Sequence, residues 1–94
     1  MQPDMLEIVR KAINAEYAAL LPDGFEVFRV DEYTQAKYPA PNLWYEKTHL
    51  VPEAKYVAIL LGEQESVPAL GVTVNDAVKR AIAKIEARNA SASH

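Results

Sequence analysis

Few residues in this 94-residue chain have the types and spacing for chemistry. His49 is the only internal histidine, with Glu46 and Thr48 as its nearest polar neighbours. A histidine paired with a carboxylate can act as a general acid or base, provided the two lie within hydrogen-bond reach. If residues 43–51 form a strand, Glu46 and His49 are an odd number of positions apart and point to opposite faces. A catalytic role would then require distant acids such as Asp31 or Glu32, and no spacing brings them near. No enzyme activity is expected. Neither His49 nor His94 has a second histidine or a cysteine at ligand spacing, and the scattered glycines build no phosphate-cradling loop, so no metal or cofactor is expected either.

A second group is cationic. Arg80, Lys84 and Arg88 recur every fourth residue, with Lys79 beside them, so a helix there would carry a basic face able to grip phosphates or an acidic protein surface. The same cations lie near the C-terminal end of that helix, where they would also complement its dipole. A third group is aromatic: Tyr33, Tyr38, Trp44 and Tyr45 cluster around a proline-bearing segment. Tyrosine and tryptophan give large contact areas at low entropic cost, which marks this region as a candidate partner-binding surface. Trp44 would equally serve as a core anchor with the tyrosines covering its edge.

The elements that must position these groups follow from periodicity. Asp4 with Glu7 reads as a helix N-cap behind Pro3, and Leu6, Val9, Ile13, Tyr17 and Leu20 then form an apolar stripe, predicting a core-facing helix over 5–20. Its other side carries Ile8, Ala12, Ala15 and Ala19, a strip of mostly small residues open to self-association or simply exposed alanine helix. Pro22-Asp23-Gly24 turns the chain, and the branched and aromatic run 25–30 reads as a strand. Pro39 and Pro41 exclude a central strand over 31–42, leaving a long loop with room for a short helical turn. Leu43, Tyr45 and Val51 alternate with Trp44 and Leu50 imperfectly, which suggests a second strand. The apolar segment 54–61 reads as the central strand, covered by helices on at least one side, and 67–72 as a short edge strand. Thr73 with Asp76 opens the last helix, whose stripe is Val78, Ala81, Ile82 and Ile85.

The local patterns Tyr56-Val-Ala-Ile-Leu-Leu-Gly62 and Gly71-Val-Thr-Val-Asn-Asp-Ala77 resemble the apolar strand and the second-helix entry of double-stranded-RNA-binding domains, over roughly the last forty residues. The resemblance implies an α-β-β-β-α order. Where that family places a lysine pair and a further lysine one turn on, this chain has Val74, Asn75 and Val78, so the phosphate grip is not implied with it.

Half of the residues are hydrophobic and 24% are charged, the composition of an ordinary folded domain. With no cysteine, the core is the only source of stability, which fits a cytoplasmic location. The longest apolar run falls far short of the roughly 20 residues that cross a bilayer, and no basic-then-apolar leader opens the chain. The net charge of −3 hides a gradient: residues 1–32 carry seven acids against three cations, residues 66–94 two acids against four cations. The expectation is one α+β domain over 1–90 with a disordered tail at 91–94. It has an antiparallel sheet of three or four strands with two helices packed on one face. Its expected role is non-catalytic binding of another protein, as a regulator or accessory factor of a larger assembly, with self-association through the first helix. Weak nucleic-acid binding through the last helix is the alternative.

Overall fold

The computed structural model describes residues 5–92, so the Pro3-Asp4 cap and His94 lie outside the described residues. Helix α1 spans Met5–Glu16, strand β1 Glu26–Glu32, and helix α2 Pro41–Tyr45, continued as a π-helical turn over Glu46–Leu50. Strands β2 (Tyr56–Leu61) and β3 (Ser66–Gly71) and helix α3 (Val74–Ala92) follow. The expected order of helix, three antiparallel strands and helix is present, with α2 inserted between β1 and β2. The final helix takes in Ser91 and Ala92, two residues of the expected tail.

β2 lies between β1 and β3 and pairs antiparallel with both. Its sequence is apolar at both parities, so both faces must be covered. On one face Ala58 and Leu60, with Val27, Val67 and Ala69, pack against Ala77, Val78, Ala81, Ile82 and Ile85 of α3. On the other, Val57 and Leu70 pack with Tyr33, Leu43 and Ala54. Helix α3 starts at the Thr73 cap, whose hydroxyl accepts the Asp76 N–H at 3.1 Å, as the Thr-x-x-Asp pattern requires.

Two expectations about the architecture are corrected. Among the described residues the sheet has three strands and no fourth, because the segment read as a strand over 43–51 is helical through Leu50. Pro41 sits at the start of α2, where its missing N–H and fixed φ suit a helix, and Leu43 and Glu46 turn inward at helical spacing. The Thr48 hydroxyl donates back to the Trp44 carbonyl at 2.9 Å, competing with the α-helical ladder where the backbone widens to the π form.

The second correction concerns α1, which does not share the α3 face. It covers the outer edge of β1 instead. The Asn14 side-chain amide donates to the Val27 carbonyl at 2.9 Å and accepts the Val27 N–H at 2.7 Å, satisfying that edge as a neighbouring strand would. The Arg10 Nε donates to the Phe28 carbonyl at 2.9 Å, with the guanidinium 4.6 Å from the Phe28 ring. Phe28 is the extra residue of a β-bulge between Val27 and Arg29, and bulges re-aim side chains in this way. The helix ends before Leu20, and Tyr17 is buried, its hydroxyl donating to Asn75 Oδ1 at 2.5 Å.

Helix α3 rests directly on the backbone of β3. A Cβ on Gly71 would lie 2.2 Å from the Ala77 nitrogen and 2.6 Å from its Cα, so any side chain must push the first turn of α3 off the sheet. Gly71→Ala is therefore expected to lower stability by about 1–3 kcal/mol. The measurement is the urea midpoint, and an unchanged midpoint would show that the turn has room to yield.

Candidate functional site

Three of the four cations of the expected basic face are spent inside the molecule. Glu46, only 5% exposed, receives Lys84 Nζ at 2.6 Å and Arg80 Nη2 at 3.3 Å. Lys84 also donates to the Pro68 carbonyl at 2.8 Å, joining α2, the edge strand β3 and α3 at one point. Arg88 forms a bidentate pair with Glu65 at 2.7 and 2.8 Å, and this guanidinium holds the Glu65 carboxyl below its usual range. Lys79 makes no ion pair among the described residues. Sequence reading missed Glu46 as the counter-ion. The available signal was the four-residue spacing of Arg80 and Lys84, which points both at one place.

The aromatic group divides into two layers. Tyr33 is buried in the core cluster of the second sheet face, its hydroxyl without a hydrogen-bond partner, and burial raises its phenol pKa. Tyr38 is half-buried and stacks on Tyr33 with ring centroids 6.4 Å apart. Trp44 and Tyr45, by contrast, stand 42% and 55% exposed on the outer side of α2, and Leu50 is exposed on the turn that follows. The expected surface of four aromatics thus consists of two that face solvent above two that support the fold.

Asp31 ties down the loop between β1 and α2. Its carboxylate accepts from the Lys37 ammonium at 2.5 Å, from the Tyr38 hydroxyl at 3.1 Å and, through its other oxygen, from the Glu32 N–H at 2.9 Å. Within the loop, the Tyr38 N–H donates to the Thr34 carbonyl at 2.9 Å, giving the short turn that the sequence allowed.

His49 is exposed on the π-helical turn and stacks on Tyr45, with ring centroids 4.4 Å apart. Its Nδ1 lies 2.7 Å from the Thr48 hydroxyl, which itself reaches the Trp44 and Tyr45 carbonyls at 2.9 and 3.2 Å. Of the acids named as its conceivable partners, Glu46 is engaged with α3 and Asp31 with Lys37 and Tyr38, and Glu32 lies on β1. No group of three or more histidine and acidic residues placed to hold a metal ion is found among the described residues. Likewise, no helix among them is long and apolar enough to cross a membrane.

On α1, the strip Ile8, Ala12, Ala15 and Ala19 is exposed, Ala19 in the turns after the helix. The stripe expected to face the core is only partly covered. Tyr17 is buried and Ile13 half-buried, while Leu6, Val9 and Leu20 remain exposed.

No protein-family model, no curated protein and no solved structure matches the chain. The functional reading therefore rests on the geometry itself.

Two outcomes follow from these networks. Asp31 has its pKa lowered, chiefly by the Lys37 hydrogen bond, with burial opposing and the Tyr38 bond assisting. A carboxylate with a depressed folded pKa stabilises the fold fully above its ordinary value of about 3.9, and this contribution disappears as pH falls through the folded pKa. Urea midpoints should therefore drop on acidification below about pH 4, and more steeply for the wild type than for Asp31→Asn. Parallel curves would remove Asp31 from the acid response. Glu46→Ala leaves Arg80 and Lys84 facing an empty buried position, and with both cations partly solvated the expected loss is about 1–3 kcal/mol. Calorimetry of the variant checks this, and a loss of only a few tenths would reduce the clamp to a surface pair.

Proposed function

We propose that this chain is a small non-catalytic protein-binding module, a regulator or accessory factor of a larger assembly acting in the cytoplasm, and that it docks its partner on the outer side of α2. The observation that carries this reading is the exposed pair Trp44 and Tyr45 on a helix whose inner side is pinned by Leu43 and Glu46. Binding energy at protein interfaces concentrates in a few rigid aromatic anchors, because they bury much area and lose little rotamer freedom. Here the backbone beneath the anchors is already ordered, so little further entropy is lost on docking. His49, exposed and stacked on Tyr45, adds an imidazole able to hydrogen-bond beside them. Tyr33 and Tyr38 belong to the site as supports rather than contacts.

Nucleic-acid binding through Lys79, Arg80, Lys84 and Arg88 is the weaker reading. The Arg80, Lys84 and Arg88 charges are engaged by Glu46 and Glu65, and phosphate affinity grows with the number of cations free to displace counter-ions. What the chain shares with double-stranded-RNA-binding domains is its order of elements. Charge reversal at Arg80 or Lys84 would also break the Glu46 clamp, so Lys79→Glu is the informative variant for that reading.

The test uses the purified chain as bait in an extract of its source, with and without nuclease, beside the double variant Trp44→Ala/Tyr45→Ala. A partner that survives nuclease and is lost by the variant, with at least about a tenfold weaker affinity when remeasured with the purified partner, supports docking at α2. Full retention by a folded double variant removes α2 as the surface. Retention that depends on intact nucleic acid and is lost by Lys79→Glu moves the reading to α3.

A further inference from the structure

Between helix α1 and strand β1 runs a groove of about 200 Å³, with Leu6, Val9 and Ile13 on its helical wall and Phe28 and Val30 on its strand wall. Leu6 is 59% exposed, Val9 46% and Phe28 39%, so this apolar surface is open to a partner. Its size is informative. Pockets that enclose a small molecule occupy about 300–1,000 Å³, whereas this hollow has room for one large aliphatic or aromatic side chain. The charges on the lining have one sign: Arg10 and Arg29 belong to it, and no acid among the described residues does. Arg10 is held from two sides, its Nε donating to the Phe28 carbonyl at 2.9 Å and its guanidinium lying 4.6 Å from the centre of the Phe28 ring. Neither contact occupies the two terminal amino groups, and Arg10 makes no ion pair among the described residues. A guanidinium fixed in this way keeps a donor fork that suits a carboxylate. Arg29 pairs with Asp31 at 3.3 Å, but that acid also holds Lys37 at 2.5 Å, so one carboxylate answers two cations. On α1, Glu7 is paired with Lys11 at 3.6 Å, and neither lines the groove.

We propose that this groove docks an acidic, apolar peptide segment of a partner protein: one large apolar side chain enters the hollow, and carboxylates close to it in sequence meet Arg10 and Arg29. Charge complementarity selects this occupant. A neutral apolar segment would strip water from the Arg10 fork and give it no acceptor, which costs binding energy. An extended polyanion meets a different surface. Residues 1–32 carry seven acids against three cations, so a nucleic acid or an anionic membrane lying across this end of the molecule is repelled by its surroundings. A short segment with a few carboxylates interacts with the two arginines alone, because more distant charges are screened beyond about 8 Å at physiological salt. No residue of the groove belongs to α2, so this docking site is independent of the one proposed there.

The test is amide NMR of the isotope-labelled whole chain, titrated to about 2 mM with a blocked pentapeptide that has a central phenylalanine and two aspartates on each side. A saturable shift of the amides over 6–13 and 27–30 is expected. Affinity should be at least about fivefold above that of the same peptide with asparagines, and the ratio should shrink as salt is added. Val9→Glu places an acid on the lining at a half-exposed position, and with an unchanged circular dichroism spectrum it should weaken the aspartate peptide at least about tenfold. Arg10→Gln should narrow the difference between the two peptides; because it also alters the bond to Phe28, Val9→Glu remains the decisive variant if α1 loosens. An absence of shifts at these amides in the wild type, equal affinity for the two peptides, or binding untouched by Val9→Glu overturns the proposal. Shifts of the same amides with anionic phospholipid vesicles but not with the peptide overturn it in favour of a lipid surface, and shifts with protein concentration alone, without any effect of the peptide, overturn it in favour of self-association. Trp44→Ala/Tyr45→Ala should bind the peptide as the wild type does, so failure here leaves docking at α2 standing, and the reverse holds too.

Discussion

A single buried carboxylate governs the arrangement of the second half of the chain. Moving Glu46 out of water without partners would cost several kcal/mol, and the fold offsets this by bringing Arg80 and Lys84 from α3 to meet it. Lys84 simultaneously satisfies a carbonyl on the open edge of β3, so one ammonium group links three elements. The register of α2 follows. With Leu43 and Glu46 one helical turn apart and both turned inward, Trp44 and Tyr45 have no direction left except outward. The same pairing engages two of the cations on the outer face of α3.

The sheet imposes the complementary demand. β2 is apolar at both parities and needs two covers, whereas the chain supplies only one long amphipathic helix for it. The second cover is built from irregular backbone together with α2: Tyr33 and Ala54 from connecting segments, Leu43 from the helix. Backbone without a ladder must be ordered by side chains, and Asp31 does this by gathering Lys37, Tyr38 and the Glu32 N–H around one carboxylate. Helix α1 is left over from this scheme. Its polar residues Arg10 and Asn14 close the edge of β1, and its apolar residues remain largely uncovered.

Where local chemistry decides structure, the sequence was legible. β1, β2, β3 and α3 lie close to where the branched and aromatic run 25–30, the apolar segment 54–61, the short segment 67–72 and the Thr73 cap put them, because each of those signals acts within one element. Residues 43–51 were not legible: a short helix with one buried flank produces nearly the alternation of a strand, and Pro41 marks either a loop end or a helix start. The position of α1 was hidden for another reason. The stripe Leu6, Val9, Ile13 and Tyr17 states that the helix has an apolar side, but the side chains that dock it are Asn14 and Arg10, and a hydropathy pattern carries no information about an amide that pairs with a strand edge. The pairing of Arg80 and Lys84 was hidden for a related reason. Its counter-ion lies 34 residues from Arg80 and 38 from Lys84, and periodicity along one helix is blind to that distance.

The inversion at α2 separates a structural account from a functional one. Burying a tryptophan side chain is among the most favourable contributions a small core can gain, and burying a glutamate among the least. Rotating α2 by one residue would bring Trp44 inward and return Glu46 to water, but it would also turn Leu43 out of the core and Lys47 into it. The chain instead keeps Glu46 inside at the expense of a clamp of two cations, and it leaves Trp44, Tyr45 and Leu50 in solvent. A buried ion pair often stabilises no more than an apolar replacement of the same volume. What the arrangement does provide is a fixed direction for two exposed aromatic rings. Docking at α2, as proposed, would use that direction, and a partner there would supply the burial that the two rings lack in the single chain.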